Sequence, residues 1–181
     1  NFFRAMETPQ AIIVQMYQGK TPYSMKEAAV VNALGAVLTQ RYLKSIREDA
    51  GIAYSVSTDG QADFGKYDSY QIITQCPVKP AKLDSALLLM KQGINDIATK
   101  GVTADELSKV ITFELKDYAD NQKKNEYWHG LIMQKTLWGK DLRTNYEATL
   151  KSITPKDIQN FVNNVLLKQN NCITVSMRPT D

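Results

Sequence analysis

Residues 46–56 read IREDAGIAYSV, and this stretch carries the most specific pattern in the sequence. Arg47 stands near the end of an apolar helical pattern, Gly51 turns the chain, and Tyr54 follows Arg47 by seven positions. A tight turn between a helix end and a strand start can present a guanidinium and a phenol side by side. Arginine supplies a fork of N–H donors and tyrosine supplies one hydroxyl donor. Such a pair is suited to hold a peptide carbonyl or to stabilise a developing oxyanion.

Both residues also have an ordinary structural interpretation. Arg47, near a helix C-terminus, interacts favourably with the helix dipole. Tyr54 is typical of a half-buried aromatic residue in a strand. The pattern by itself therefore leaves the functional and the structural interpretations open.

The residues before this stretch predict a strand followed by a long helix. Residues 11–17 alternate as a strand that has three apolar side chains on one face: Ile12, Val14 and Met16. Ser24 and Glu27 have the spacing of a capping box, which opens a helix that ends near Asp49. The apolar residues near one side of that helix are Val31, Leu34, Leu38 and Ile46.

The residues after it predict a hairpin and then a run of helices. Residues 52–58 and 66–76 form the two strands of the hairpin, and the second strand has four residues on one face: Tyr70, Ile72, Thr74 and Cys76. Further helices are predicted at 80–100, from Thr103, at 127–138, at 142–150 and from Thr154, before a closing strand at 171–177. Helices that run between antiparallel strand signals indicate an α+β fold.

Composition bounds the class of protein. A chain of 181 residues, with 43% hydrophobic and 23% charged residues, is typical of one globular domain. The net charge of +3 is small and the charges are interleaved, which excludes the clustered basic face that nucleic-acid binding needs. Apolar runs fall short of the ~18–20 residues that a membrane span requires.

The two cysteines, Cys76 and Cys172, both lie in predicted strands. Two cysteines do not form a disulfide framework for a chain of this size. We expect two small buried apolar residues, and one bridge between them remains open.

The sequence predicts neither a catalytic residue nor a metal ligand in this chain alone. His129 is the single histidine, for which we expect a structural or surface role. Zinc motifs with two histidines and a Ser-His-Asp triad are both excluded. The glycine-rich phosphate-binding motifs are absent as well. The acidic pairs at 48–49 and 105–106 are adjacent in sequence and diverge on a helix, so they do not form a shared acid–base site.

The segment at 47–56, which fits R-E-x-x-G-[LI]-A-Y-x-V, resembles the non-catalytic C-terminal lobe of M16 (pitrilysin/insulysin-type, inverzincin) zinc metallopeptidases. TPQA at 8–11, YQG at 17–19 and MRP at 177–179 are similar to the start and end of such a lobe. GVTADEL at 101–107 resembles the family's G-[VI]-[ST]-x-x-E-L segment. The resemblance covers nearly the whole chain, and its most specific part runs from Arg47 to Tyr54.

The resemblance implies an antiparallel sheet with helices packed on one face, the LuxS/MPP-like lobe of M16 enzymes. Such lobes pair into a closed chamber, in which one lobe carries H-x-x-E-H, a distal glutamate and zinc. The opposite lobe supplies the Arg and the Tyr, so Arg47 would hold a substrate carbonyl and Tyr54 would donate to it or to the oxyanion. Asp49 and Ile52 depart from the commoner residues of the motif, and neither change removes these donors.

The resemblance also sets expectations about organisation and partners. We expect residues 1–9 to lead in from an upstream lobe or linker and residues 10–181 to form a single inactive domain of a longer protein. The expected partners are a peptide substrate and a catalytic H-x-x-E-H lobe, which binds the zinc, in the same polypeptide or in a partner subunit. The bacterial periplasm or cell envelope is the favoured location. A scaffold subunit of a respiratory complex and a peptide-binding adaptor of the same fold, without proteolysis, are the alternatives.

Overall fold

The computed structural model describes residues 2–6 and 10–179. Its strands are β1 (Phe2–Met6), β2 (Ala11–Lys20), β3 (Ser57–Asp63), β4 (Ser69–Val78) and β5 (Cys172–Pro179). Its helices are α1 (Met25–Tyr42), α2 (Leu83–Lys100), α3 (Ala104–Asn121), α4 (Asn125–Trp138), α5 (Tyr146–Lys151), α6 (Pro155–Phe161) and α7 (Leu167–Gln169). Wider π-helical turns extend α1 through Leu43–Asp49 and join α6 to α7 through Val162–Leu166.

The five strands form one sheet in the order β1-β5-β2-β4-β3. The pairs β5–β2, β2–β4 and β4–β3 are antiparallel, and β1 is added at one edge in parallel with β5. β1 lies within the segment that we expected to lead in from an upstream lobe, and the expected turn at Thr8 and Pro9 lies outside the described residues. The assignment of residues 1–9 to that lobe or a linker stays a prediction.

The helices cover one face of the sheet, which confirms the α+β fold. On that face β2 and β4 bury Ala11, Ile13, Ile72 and Cys76. All four apolar residues expected on one side of the long helix are buried: Val31, Leu34, Leu38 and Ile46. The prediction that Ile12, Val14 and Met16 lie on one face of β2 is confirmed. That face points away from the helices, and the three side chains are partly exposed.

α1 approaches β3 unusually closely because two glycines meet there. A Cβ on Gly35 would lie 2.5 Å from the main-chain nitrogen of Gly60. A Cβ on Gly60 would run into the main-chain carbonyl of Val31. Neither neighbour is a flexible side chain, so the contact between α1 and the edge strand depends on both glycines.

Local signals at the helix starts agree with the structure. Ser24 accepts a hydrogen bond from the Glu27 amide, while the Glu27 carboxylate accepts from Thr21 instead of completing the box. Thr103 and Thr154 both form full capping boxes, the second with Asp157 at its third position. These caps satisfy amides that would otherwise have no partner at the start of each helix.

Three expectations need correction. The strand predicted at 52–58 begins only at Ser57, because Ala53 makes an isolated bridge to Val78 and Tyr54 lies in a bend. The second hairpin strand starts at residue 69 instead of 66. Both cysteines are free, with Cys76 buried as expected and Cys172 exposed near the start of β5.

Candidate functional site

The site begins where α1 widens into the π-helical turn and ends. Arg47 lies in this turn, and Ile46 beside it is fully buried and anchors the turn to the core. The chain then reverses at Gly51, whose φ of +59° lies in the left-handed region that favours glycine. The Ile52 amide donates to the Ile46 carbonyl at 3.0 Å, which closes the helix end over the turn.

The segment after Gly51 is fastened to the end of β4. Ala53 pairs with Val78, and the Lys79 amide donates to the Ile52 carbonyl at 3.3 Å. The Lys79 ammonium donates to the Gly51 carbonyl at 3.2 Å. Because these hydrogen bonds hold the main chain on both sides of the turn, the next residue is attached to a main chain in a fixed position.

Tyr54 is that residue, and its side chain is 88% exposed. Ile52 and Ala53 before it and Val56 after it are buried, so Tyr54 is the large apolar side chain that this stretch leaves exposed. Among the described residues its hydroxyl has no hydrogen-bond partner. The half-buried strand aromatic that the structural interpretation would require is therefore not what the structure shows.

Arg47 is also accessible, with 44% of its side chain exposed. Its Nη2 lies 2.8 Å from Oε1 of the neighbouring Glu48, which is itself more than half exposed. An exposed pair of this kind is worth only about 0–1 kcal/mol. The guanidinium can therefore exchange Glu48 for another acceptor at little cost.

A cavity of about 700 Å³ lies beside Tyr54. Its apolar walls come from the turn and from the end of β4 and the start of the next helix: Ile52, Ala53, Pro77, Val78 and Pro80. Gln10 and Lys79 are the polar side chains that line it, and Arg47 is not among the lining residues. No sequence pattern predicted this cavity directly. Pro77 and Pro80 on either side of the strand end were its only sequence signal.

An ion pair behind the site holds α1 in place. Arg41 donates from Nε and Nη2 to the two carboxylate oxygens of Glu106 at 2.8 and 3.0 Å, and from Nη2 to the Gly101 carbonyl at 2.8 Å. The hydrogen bonds from Arg41, together with those from Thr103, lower the pKa of Glu106 to about 2. This contact ties the last turns of α1, and with them Arg47, to the start of α3.

The sequence predicts no metal ligand in this chain alone. Among the residues that the structure describes, no group of three or more His, Cys, Asp or Glu side chains is placed to hold a metal ion. His129 lies exposed on α4. Within the same described ranges, no helix combines the length and apolar character that crossing a membrane requires.

Comparison with known proteins relates this chain to a protein family. The family profile described as "Peptidase M16 inactive domain" matches residues 1–113, more than half of the chain. A relative from Streptomyces coelicolor, described as an uncharacterized zinc protease, is 24% identical over 138 residues, which cover 74% of this chain and 29% of the relative.

Two solved structures have the same fold. The periplasmic protease PqqL from Escherichia coli aligns with a TM-score of 0.82 and 21% identity over 98% of this chain and 20% of PqqL. A peptidase M16 inactive domain from Pseudomonas fluorescens aligns with a TM-score of 0.73 and 16% identity over 99% of this chain and 43% of that one. The chain thus spans less than a third of the length of the Streptomyces relative and of PqqL.

Proposed function

Because this chain belongs to the M16 peptidase family as its inactive domain, we propose that it is the substrate-binding, non-catalytic lobe of a zinc-dependent peptidase that cleaves peptides inside a closed chamber. In this proposal the zinc and the H-x-x-E-H motif reside in a catalytic lobe of the same polypeptide or of a partner subunit. The present lobe contributes no metal ligand and is inactive alone.

The observation that supports the proposal is the exposed side chain of Tyr54 on a main chain that is held in place. A large aromatic side chain that is 88% exposed, on a main chain held by the Gly51 turn and by β4, is costly for a purely structural role. A neutral phenol is a hydrogen-bond donor that needs no change of charge. We assign it to the scissile carbonyl or to the oxyanion that develops there, where a preorganised donor lowers the barrier most.

Arg47 is assigned to a substrate carbonyl next to the scissile bond. Its guanidinium presents several donors in a fixed plane. Releasing Glu48 costs at most about 1 kcal/mol because that pair is exposed. A hydrogen bond from a charged donor such as this guanidinium contributes about 1.5–3 kcal/mol, which offsets the loss of the exposed pair.

The cavity beside Tyr54 gives the peptide a place for one side chain. Its walls are apolar, and Lys79 is the only charged residue among the described residues that line it. We therefore propose that the residue of the substrate next to the Tyr54 contact is apolar. Burial of one such side chain supplies about 1.5–3 kcal/mol of binding free energy.

The experiment measures hydrolysis of an internally quenched peptide by the parent protein that contains both lobes. Tyr54→Phe removes one hydroxyl donor, so we expect kcat/KM to fall about 10²–10³-fold. Arg47→Ala should lower kcat/KM through a raised KM as well, because it removes a contact made with the bound substrate. Zinc content, measured by atomic absorption, should stay unchanged in both variants.

Two matched controls make the result specific. Tyr67→Phe alters another exposed tyrosine, which lies in the loop between β3 and β4. Lys44→Ala removes an exposed cation from the same π-helical turn that carries Arg47. Both controls should hydrolyse the peptide at the unaltered rate. Unchanged kinetics for Tyr54→Phe and Arg47→Ala would refute the assigned roles and favour the scaffold or adaptor alternatives.

We also propose that the parent protein works in the periplasm or cell envelope. The support is the likeness to PqqL, which is described as a periplasmic protease. Immunoblots of periplasmic and cytoplasmic fractions of the producing cell test this directly. Recovery of the protein with the cytoplasmic markers would contradict it.

A further inference from the structure

Lys79 lies at the rim of the cavity beside Tyr54 and carries a charge that has no role in the mechanism so far. Its ammonium donates to the Gly51 carbonyl at 3.2 Å, and Gly51 lines the same cavity. An ammonium has three N–H donors, and this contact engages one of them. Among the residues that the structure describes, no side chain accepts from the other two. Within that part of the chain, a cation with two available donors therefore borders an apolar cavity.

The main chain at Lys79 is held by the segment beside it and by a proline. Its amide donates to the Ile52 carbonyl at 3.3 Å, directly after Val78 bridges to Ala53. Pro80 follows, and a residue before proline is restricted to extended conformations, which agrees with the φ of −64° and the ψ of 131° at Lys79. A cation on a main chain that is already ordered loses less freedom on binding than one on a mobile loop.

Gln10 adds a neutral donor opposite Lys79. β2 and β4 pair Ala11 with Val78, and one more step in this register places Gln10 opposite Lys79. Side chains that lie opposite each other in an antiparallel pair leave from the same face, with Cβ atoms about 4.5–5.5 Å apart. Both residues line the cavity. The rim thus combines an ammonium with a carboxamide, and these groups together suit the two oxygens of a carboxylate.

The acidic residues near the turn do not neutralise Lys79. Glu48 is paired with Arg47 at 2.8 Å. Asp49 lines a different cavity, which lies between the end of α1, α2 and the start of α3. The described residues that line the cavity beside Tyr54 include no carboxylate. The attraction of this rim for a negatively charged group is therefore not cancelled within the cavity.

The rim lies close to the expected contact with the scissile bond. Gly51, which accepts from the ammonium, precedes Tyr54 by three residues, and a chain of that length spans at most about 11 Å when fully extended. An extended peptide rises by about 3.3 Å per residue. The ammonium can therefore reach a group that lies within about three residues of the substrate residue in contact with Tyr54.

We propose that Lys79 selects peptides that carry a carboxylate next to the apolar residue in the cavity. This inference rests on the proposed function, because it concerns the substrate of the same site. The ammonium of Lys79 and the amide of Gln10 hold the carboxylate, while the apolar walls take the neighbouring side chain. The carboxylate belongs to an aspartate or glutamate side chain or to the C-terminus of the peptide, since both present the same two oxygens. Repulsion by Lys79 disfavours a basic residue at that position.

Hydrolysis of matched peptides by the parent protein that contains both lobes measures this preference. Mass spectrometry first locates the bond that is cleaved in an internally quenched peptide with an amidated C-terminus. Glutamate, glutamine or lysine then replaces the residue at each of the three positions on either side of that bond. At one of these positions we expect the kcat/KM of the glutamate peptide to exceed that of the glutamine peptide by about fivefold, the scale of an ion pair at a protein surface. The lysine peptide should be the poorest substrate, and the advantage of glutamate should shrink as NaCl rises from about 50 to about 500 mM.

A second pair of peptides separates the two sources of the carboxylate. Both are short on one side of the cleaved bond and have no acidic side chain, and they differ only in a free or an amidated C-terminus. A preference for the free acid in this pair alone assigns the contact to the C-terminus. A preference for glutamate in the first series alone assigns it to an acidic side chain.

Variants of Lys79 show whether this residue causes the preference. Lys79→Met removes the charge and keeps an unbranched side chain, so the ratio of kcat/KM between the carboxylate peptide and its neutral partner should fall to about one. Lys79→Arg should retain the preference, and Lys79→Glu should reverse it in favour of the lysine peptide. The matched control is Lys82→Met, which alters an exposed lysine that is not among the described residues lining the cavity, and it should leave the ratio unchanged. The ratio separates recognition from structure, because a variant that only loosened the turn at Gly51 would slow both peptides equally.

The results that overturn this inference differ from those that overturn the proposed function. Equal kcat/KM for every carboxylate peptide and its neutral partner would overturn the inference, and so would a preference that Lys79→Met retains or that Lys82→Met also loses. Tyr54→Phe is assayed on the same peptides. If it slows hydrolysis while the preference is absent, only the inference fails; if it leaves the rate unchanged while Lys79→Met removes the preference, only the role of Tyr54 fails. A parent protein that cleaves none of the peptides would overturn both.

Discussion

Replacement of Glu106 by glutamine should destabilise the domain by about 2 kcal/mol at neutral pH. The carboxylate accepts two hydrogen bonds from Arg41, at 2.8 and 3.0 Å, and one from the Thr103 amide at 2.8 Å. The glutamine carbonyl can keep the bond to the Thr103 amide, whereas the charged contact with Arg41 is lost. The loss is therefore confined to the ion pair that ties α1 to the start of α3.

The size of the effect follows from the pKa of Glu106. A decrease of the pKa from 4.5 to about 2 corresponds to at most about 3 kcal/mol of favourable interaction for the charged form. The side chain keeps 23% of its surface exposed, and solvent screening reduces that ceiling to about 2 kcal/mol. Hydrogen bonds to charged groups, which contribute about 1.5–3 kcal/mol, give the same range.

The pH dependence has a definite sign. Because the pKa of Glu106 is lower in the folded chain, its stabilisation is fully present above the ordinary glutamate pKa and is lost as the pH falls from about 4.5 through about 2. The difference in free energy of unfolding between the unaltered chain and Glu106→Gln should thus be about 2 kcal/mol at pH 7. It should be less than half that size at pH 3.

Urea unfolding followed by circular dichroism at pH 7, 5 and 3 measures this difference. The matched control is Asp105→Asn, which removes the neighbouring carboxylate and with it only an exposed pair with Lys109, so the stability should hardly change. If the Glu106→Gln variant is as stable as the unaltered chain at pH 7, the ion pair of Glu106 with Arg41 does not contribute the stability that we expect. A difference that stays constant down to pH 3 would refute its electrostatic origin.

Three further predictions concern the core and the cysteines. Gly60→Ala places a methyl group against the main chain of α1 and should cost about 2–3 kcal/mol in urea unfolding, so an unchanged midpoint would contradict the close approach. Tyr42→Phe removes the buried hydroxyl that donates to the Met90 carbonyl of α2 and should lower the free energy of unfolding by about 0.5–1.5 kcal/mol, with no change as the contrary result. Ellman's reagent should label Cys172 alone in the folded chain and Cys76 only in urea, because burial raises the pKa of Cys76 to about 11; two fast thiols in the folded chain would disprove this.

Local signals account for the elements that the sequence predicted well. The caps at Thr103 and Thr154 satisfy main-chain donors within a single turn, so a few neighbouring residues determine the start of each helix. The apolar periodicity of α1 and of β4 likewise matches the buried faces in the structure. Such features depend on residues close in sequence and are therefore readable without the fold.

The sequence predictions differ from the structure where contacts between residues far apart in sequence determine an element. β2 is central in the sheet and apolar on both faces, so alternation alone could not tell which face the helices cover. The strand that begins at Ser57 starts late because Ala53 instead bridges to the far end of β4. β1 pairs with a strand more than 160 residues away, and no local pattern announces such a pairing.

At the candidate site, too, some features were predicted from local sequence patterns and others depend on the fold. The turn at Gly51 and the spacing of Arg47 and Tyr54 were visible in the sequence, and the structure leaves both side chains accessible. The cavity beside Tyr54 and the exposure of α4 depend on which surfaces the fold leaves uncovered. Apolar spacing in α4 predicted a helix correctly but carried no information about how little of it would be buried.

Binding of a fluorescent peptide to the parent protein after removal of zinc tests the central claim most directly. A chelator stops hydrolysis, so fluorescence anisotropy then reports binding alone. If this lobe binds the substrate, the zinc-free protein should still bind the peptide, and Arg47→Ala should weaken binding at least about tenfold, while Lys44→Ala should not. Equal affinities for the unaltered protein and Arg47→Ala would contradict a substrate-binding role for this lobe.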